Sequence, residues 1–350
     1  MRLQAPMLQA IAQELCIRKA YLGPTHVRSI YLGGGTPSLL EVAAVEKLLA
    51  LIFQNFPLSN TLEITLEANP DDICMAKLEA LRAVGVNRLS IGVQSFHDSV
   101  LRYLHRVHNS NNAIASVEIA RKAGFDNLSI DLMYAIPGTS QAMWEDNLAI
   151  ALQLQPEHIA AYCLTIEDNT VFGRWRDRGR LRVVEEEIAA RHFETLVETL
   201  VQHHYEHYEV SNFSRSGYYA QHNSNYWQQG PYLGLGPGAH SYDGNTRQYN
   251  VAHNQRYIDS LRRGVVPCTV ETLTRKDHIN EYVMTSLRTQ WGCDMTWLKE
   301  KYDYPMSQIK NIYLEQLIDR ELAVIRGTRL LLTRTGMLLA DQIAGDLFVD

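Results

Sequence analysis

No stretch of this 350-residue chain approaches the roughly 20 consecutive apolar residues that a membrane span requires. Nor does the N-terminus carry a charged segment followed by an apolar secretion core. The chain therefore reads as cytoplasmic, without a transmembrane segment. Lys and Arg form no run, and a net charge of −6 gives no attraction for phosphate backbones, so nucleic acid is not an expected partner. Cysteine is scarce as well. The five present, Cys16, Cys74, Cys163, Cys268 and Cys293, are odd in number and scattered, with no CxxC or CxxxCxxC spacing among them. That excludes a disulfide framework and a zinc site built on cysteine pairs, and leaves each thiol to be read as a small buried hydrophobe.

What is present is ordinary for a globular protein: 46% hydrophobic and 21% charged residues. Six β-rich runs recur: VRSIYL from Val27, TLEITLE from Thr61, RLSIGV from Arg88, NLSIDL from Asn127, HIAAYCL from His158 and EHYEVS from Glu206. Between them lie patterns with apolar residues at three- and four-residue spacing, beginning at Glu41, Cys74, Asn112 and Glu186. Gly85 and Gly124 stand where helix-terminating glycines belong. Such alternation predicts a parallel sheet of right-handed βαβ units, as a barrel or an open doubly wound sheet. An internal repeat supports it: RAVGVNRLSI from Arg82 realigns with RKAGFDNLSI from Arg121.

Past Pro267 the pattern changes to helices, EYVMTSLR and SQIKNIYLEQLIDREL, then a hairpin-like RLLLTRTG and a last helix from Met337. We expect two domains, 1–266 and 267–350, the second small, mostly helical and winged-helix-like. Its balanced charge favours packing or a partner protein over DNA.

Sites in both kinds of α/β sheet form at the C-terminal ends of the strands. The first strand runs into Gly33-Gly34-Gly35-Thr36-Pro37, with Ser38 placed where a helix cap is wanted. Neither the GxxxxGK[ST] nor the GxGxxG spacing fits, so this is a tight βα turn able to present backbone groups to a polar ligand. The other strands end in polar residues: Glu67, Gln94, Asp131 and the stretch from Thr165 to Glu167. Alternation in TLEITLE sets Leu62, Ile64 and Leu66 against Glu63, Thr65 and Glu67, turning Glu67 toward a lumen or mouth.

The strings YLGGGTPS, LEANP, NRLSIGVQSF, LHRVH, SIDLMYAIPG, YCLTIEDNT, YEVSNFS, HNSNYW and YLGLGPGAHSY follow one another over nearly the whole chain. In that order they resemble the HemW-type heme chaperones and the related oxygen-independent coproporphyrinogen III oxidases of the radical S-adenosylmethionine (SAM) superfamily. The resemblance implies an incomplete parallel (β/α)6 barrel binding S-adenosylmethionine across its strand ends. Gly33, Gly34, Gly35 and Thr36 would take the methionine end, Glu67 and Asp131 its polar parts, and Gln94 and Arg106 would complete the pocket. It also implies heme as a ligand and a heme-accepting protein as partner. His222, in the HNxxY string His222-Asn223-Ser224-Asn225-Tyr226, would ligate the heme iron.

One departure matters. Members of that family carry an N-terminal CxxxCxxC that holds a [4Fe-4S] cluster, and its ligands are absent from this sequence, so no catalytic residue is assigned. The chain opens on MRLQAPMLQAIAQEL, a helical pattern that in the family follows the cluster loop. Loss of a first strand would expose its neighbour's edge. The expectation is therefore a product shortened at its N-terminus rather than a lineage that discarded radical chemistry. The heme-chaperone reading is preferred; an oxidase-like enzyme of porphyrin biosynthesis and a non-catalytic scaffold are the alternatives.

Overall fold

The computed structural model describes residues 3–165, 174 and 184–349. A seven-stranded sheet is built from β1 (Val27–Leu32), β2 (Leu58–Ala68), β3 (Arg88–Gln94), β4 (Leu128–Tyr134), β5 (His158–Cys163), β6 (Glu206–Glu209) and β7 (Asn212–Ser214), in the order β1-β2-β3-β4-β5-β7-β6. The first five are parallel. The sixth sequence-predicted strand, EHYEVS, does not pair with β5. Instead β7, a three-residue strand too short to show a period, inserts antiparallel to both. The curled sheet is thus a partial barrel, as expected, with a β6–β7 hairpin closing its far side.

Each crossover helix buries one stripe. Val45, Leu48 and Leu49 face inward on Val42–Asn55, Leu78 and Leu81 on Met75–Ala83, and Ala113, Val117 and Ala120 on Ser110–Lys122. These stripes meet the outward faces of the strands, such as Leu89, Ile91 and Val93 of β3, in a continuous core. Burying each such Leu or Val contributes about 1.5–3 kcal/mol. Gly85 and Gly124 take positive φ just past two of the helices. The sequence repeat becomes registered pairing, Leu89 opposite Leu128, Ser90 opposite Ser129 and Ile91 opposite Ile130.

An N-terminal helix, Gln4–Ile17, packs on the helix Asn254–Arg262 through Ala10, Tyr257, Ile258 and Leu261. Its Glu14 is fully buried and accepts from Tyr257 Oη (2.5 Å), Asn250 Nδ2 (2.7 Å), Gly236 N (3.0 Å) and Arg18 Nη1 (3.3 Å). One carboxylate therefore ties this helix to the GLGPG loop and to a second sheet, β8 (His240–Tyr242), β9 (Thr246–Asn250) and β10 (Cys268–Thr272). Past Thr272 come helices and a third small sheet, β11 (Cys293–Asp294), β12 (Ala323–Arg326) and β13 (Arg329–Leu332). The single helix read over SQIKNIYLEQLIDREL is two, Met306–Ile309 and Asn311–Asp319, and Met295–Tyr302 is a further helix. Arg288 joins this region to the barrel: it reaches Glu209 through Nε (3.1 Å) and Asp341 through Nη1 (2.6 Å). No helix among the described residues is long and apolar enough to cross a membrane.

Candidate functional site

The inner face of the sheet is polar in rows set by register. Ser29 lies opposite Glu63; Tyr31, Thr65 and Arg88 form the next row; Glu67, Ser90, Ser129 and His158 the next, with Asp131 one row higher. The glycine turn closes on the mouth of this lumen. Glu67 accepts from Tyr31 Oη (2.8 Å) on one oxygen and from Gly34 N (3.2 Å) on the other. Gly33 is required there by space, since a Cβ would lie 2.4 Å from Tyr31 Cε1 and 2.6 Å from Glu67 Oε1. Gly34 is required by its φ of +74°, and Gly35 has open space around it. Thr36 leads into a short 3-10 turn, Pro37–Leu39. Ser38 does not cap the following helix, which starts at Val42; its hydroxyl donates to Asp72 (2.6 Å) and binds the two βα loops together.

Gln94 ends β3 at φ 67°, and the turn beyond it is fixed from below. Buried Asn147 accepts from Phe96 N (2.6 Å) and Ser95 Oγ (3.1 Å), while His108 Nε2 lies 3.0 Å from the Val93 carbonyl. Arg106 donates to Asn69 Oδ1 (2.9 Å) and the Gly92 carbonyl (3.0 Å). A Cβ on Gly92 would meet Arg106 Nη2 and Gln94 Nε2, both at 3.0 Å, so these side chains cover the glycine. Asp131 accepts from Ser90 Oγ (3.2 Å), and burial pushes its carboxyl up to about 6, against the pull of Ser90 and Arg88. The mouth thus gathers the glycine turn, Glu67, Gln94, Arg106 and Asp131. Thr165 is exposed past the end of β5; Ile166 and Glu167 lie outside the described residues.

His222 lies below the mouth, on the helix Gln221–Trp227, which packs beside β1 and the middle of β2. Glu63 grips the first turn of that helix, accepting from Gln221 N (3.0 Å) and His222 N (3.1 Å). The ring of His222 stacks on Tyr31 (centroids 4.7 Å apart), with Nδ1 3.1 Å from Ser29 Oγ and Nε2 2.9 Å from Tyr226 Oη. Burial, aided by Arg88, lowers its pKa to about 4, so the ring is neutral at pH 7. With the proton on Nδ1 facing Ser29, the lone pair of Nε2 faces the phenol. The aromatics near it in sequence divide: Tyr226 is its partner, Trp227 lies under Arg288, and Tyr219 packs on Tyr208 and Trp291. His240, the first residue of β8, is exposed.

Ser29, Tyr31, Arg88 and the buried set Ser129, His158 and Tyr208 were not singled out from sequence, and Glu63 only as an inner-face position. His158 bridges the other two, at 2.8 Å from Ser129 Oγ and 2.7 Å from Tyr208 Oη. Period-two alternation extended from TLEITLE to VRSIYL, RLSIGV and NLSIDL identifies all the inner-face positions on those strands.

The profile of the radical SAM superfamily matches residues 10–150, and that of the HemN C-terminal domain matches residues 273–339. The heme chaperone HemW of Bacillus subtilis (strain 168) is 35% identical over 340 residues, covering 97% of this chain and 90% of that protein. HemW of Lactococcus lactis subsp. lactis (strain IL1403) is 33% identical over 324 residues, 93% of this chain and 85% of its own. The solved structure of Escherichia coli coproporphyrinogen III oxidase, HemN, described as a radical SAM enzyme, superposes with a TM-score of 0.83 at 24% identity, over 98% of this chain and 82% of that one. Conserved length, identity and partial-barrel fold agree: this chain belongs to the HemW heme chaperone family of the radical SAM superfamily.

Proposed function

We propose that this protein is a cytoplasmic heme chaperone that binds heme at the His222 corner of the lumen, binds S-adenosylmethionine at its mouth, and passes heme to an acceptor protein. The observation that carries the heme reading is the state of His222. It is a neutral imidazole whose Nε2 is held, among the described residues, by Tyr226 Oη alone, and Tyr226 is 38% exposed. A neutral imidazole is a good axial ligand, and rotation of an exposed tyrosine frees it. Tyr31 and Tyr226 flank the position with aromatic surface. The net charge of −6 favours a protein or small-molecule partner over nucleic acid.

The mouth suits S-adenosylmethionine in donor set and shape. Gly33 leaves no room for a side chain, Glu67 is oriented through both oxygens, and Asp131 and Arg106 offer opposite charges to an amino acid and a ribose diol. The residues present do not fit a [4Fe-4S] cluster. Cys16, Cys74 and Cys163 are exposed at separate places, and among the described residues no three His, Cys, Asp or Glu side chains gather as a metal site. Cluster ligation uses grouped thiolates, so no radical step is assigned to these residues.

Heme titration of the purified chain, followed through the Soret band, tests the reading. His222→Ala should shift the band and weaken binding at least tenfold, while His240→Ala should leave both unchanged. Parent-like spectra and affinity in His222→Ala would overturn it.

A further inference from the structure

We infer that Arg88 is the carboxylate anchor of the lumen floor, a guanidinium that receives a carboxylate of the ligand held beside His222. This deepens the heme reading and rests on it.

Arg88 opens β3. Leu89, Ile91 and Val93 belong to the core, so Arg88 faces the lumen with Ser90 and Gly92. Its side chain is only 3% exposed, yet among the described residues its guanidinium donates no hydrogen bond, and Nε is sealed without a partner. The facing acid is Glu63, with Oε2 3.9 Å from Nε, beyond hydrogen-bonding range. Both Glu63 oxygens already accept backbone N–H groups from the helix that carries His222. A guanidinium presents five donors, and buried charges are ordinarily paired and hydrogen-bonded. Here the charge is buried and the fork is unanswered.

Position selects the ligand group. Arg88 shares its row with Thr65 and Tyr31, one row below Glu67 and two below Asp131. The acids of the mouth therefore stand above it, toward the C-terminal ends of the strands. His222 stacks on Tyr31, in Arg88's own row, and the positive charge of Arg88 acts on that imidazole. The lumen thus sets Glu67, Asp131 and Arg106 at its mouth and Arg88 with Glu63 below, on the side where the exposed Tyr226 stands. A planar fork matches a carboxylate through two parallel hydrogen bonds. Heme carries two carboxylates as propionates, and S-adenosylmethionine carries one. Proximity to His222 favours a propionate.

The test compares heme with its dimethyl ester, in which both propionates are capped, and S-adenosylmethionine with its decarboxylated form, by spectral and calorimetric titration. Wild type should bind heme at least tenfold tighter than the diester. Arg88→Met should bring that ratio near one, and His222→Ala should weaken both hemes while leaving the ratio in place. The S-adenosylmethionine ratio should not change in Arg88→Met; if it alone collapses, the anchored carboxylate is that of S-adenosylmethionine. If wild type takes up no heme, the heme reading fails and the S-adenosylmethionine pair judges Arg88. Two results overturn the anchor: a folded Arg88→Met that keeps both wild-type ratios, or a wild-type protein that discriminates in neither pair. The second needs no variant, so misfolding of Arg88→Met cannot shield the proposal.

Discussion

Tyr226 Oη sits 2.9 Å from His222 Nε2, on the next turn of the same helix. The spacing of four residues puts both side chains on one face, so the tyrosine occupies the nitrogen that a metal would take. If His222 ligates heme iron as proposed, Tyr226 must first turn away.

Removing that hydroxyl should therefore ease binding. A neutral hydrogen bond is worth about 1 kcal/mol net, so Tyr226→Phe should tighten heme affinity by roughly fivefold. Soret titration of the variant beside wild type measures this. Weaker binding would mean that the phenol contacts the heme rather than guarding its ligand.

The glycine turn separates crowding from freedom. Gly33→Ala places a methyl against Tyr31 and Glu67, whereas Gly35→Ala meets nothing within 4 Å. Calorimetry should show S-adenosylmethionine affinity lost by at least about tenfold in the first, equivalent to about 1.4 kcal/mol, and nearly preserved in the second. Equal losses would place the effect in the loop backbone instead of the Glu67 contact.

Acid should destabilise the protein through its buried histidines. Burial lowers His222 and His207 from 6.5 to about 4, and holds His158 well below the ordinary imidazole range. Between pH 6.5 and 4 the folded state then holds fewer protons than the unfolded one, so stability present above 6.5 is lost as pH falls. Each group contributes at most about 1.4 kcal/mol per pH unit. Asp131, raised from 3.8 to about 6, acts in the opposite direction over that window. Urea midpoints at pH 7, 6 and 5 should fall less in His222→Asn than in wild type and more steeply in Asp131→Asn.

Glu14 is the keystone of the N-terminal helix. Glu14→Ala would leave Arg18, Asn250 and Tyr257 without a shared buried acceptor. Loss of one member of a buried charged set costs about 3–5 kcal/mol. Chemical denaturation should show that loss, together with increased proteolysis near Gly236. A change below about 1 kcal/mol would show that the helix is held by Ala10 and its apolar neighbours alone.

Much of this molecule was decided locally. Alternation in TLEITLE sets Glu63, Thr65 and Glu67 on one face, and the repeat ending in NRLSI and DNLSI pairs in register as β3 and β4, with the opposed Leu89 and Leu128 each standing four residues after a helix-ending glycine. Part of the mouth follows, since the glycine turn, Glu67 and Gln94 lie at the ends of parallel strands, whereas Asp131 stands mid-strand in β4 and Arg106 comes from the turn after the helix Asp98–Tyr103. Periodicity names a face but not the partner that meets it. Ser29 and His222 touch across 193 residues of chain, and the alternation that turns Glu63 inward carries no sign that it holds the helix of His222. Nor could three residues of β7 announce a strand that separates β5 from β6. Those relationships depend on how the sheet curls and which helix closes its floor, and only the packed chain determines them, because their energies come from burial and hydrogen bonds between segments that share no local pattern.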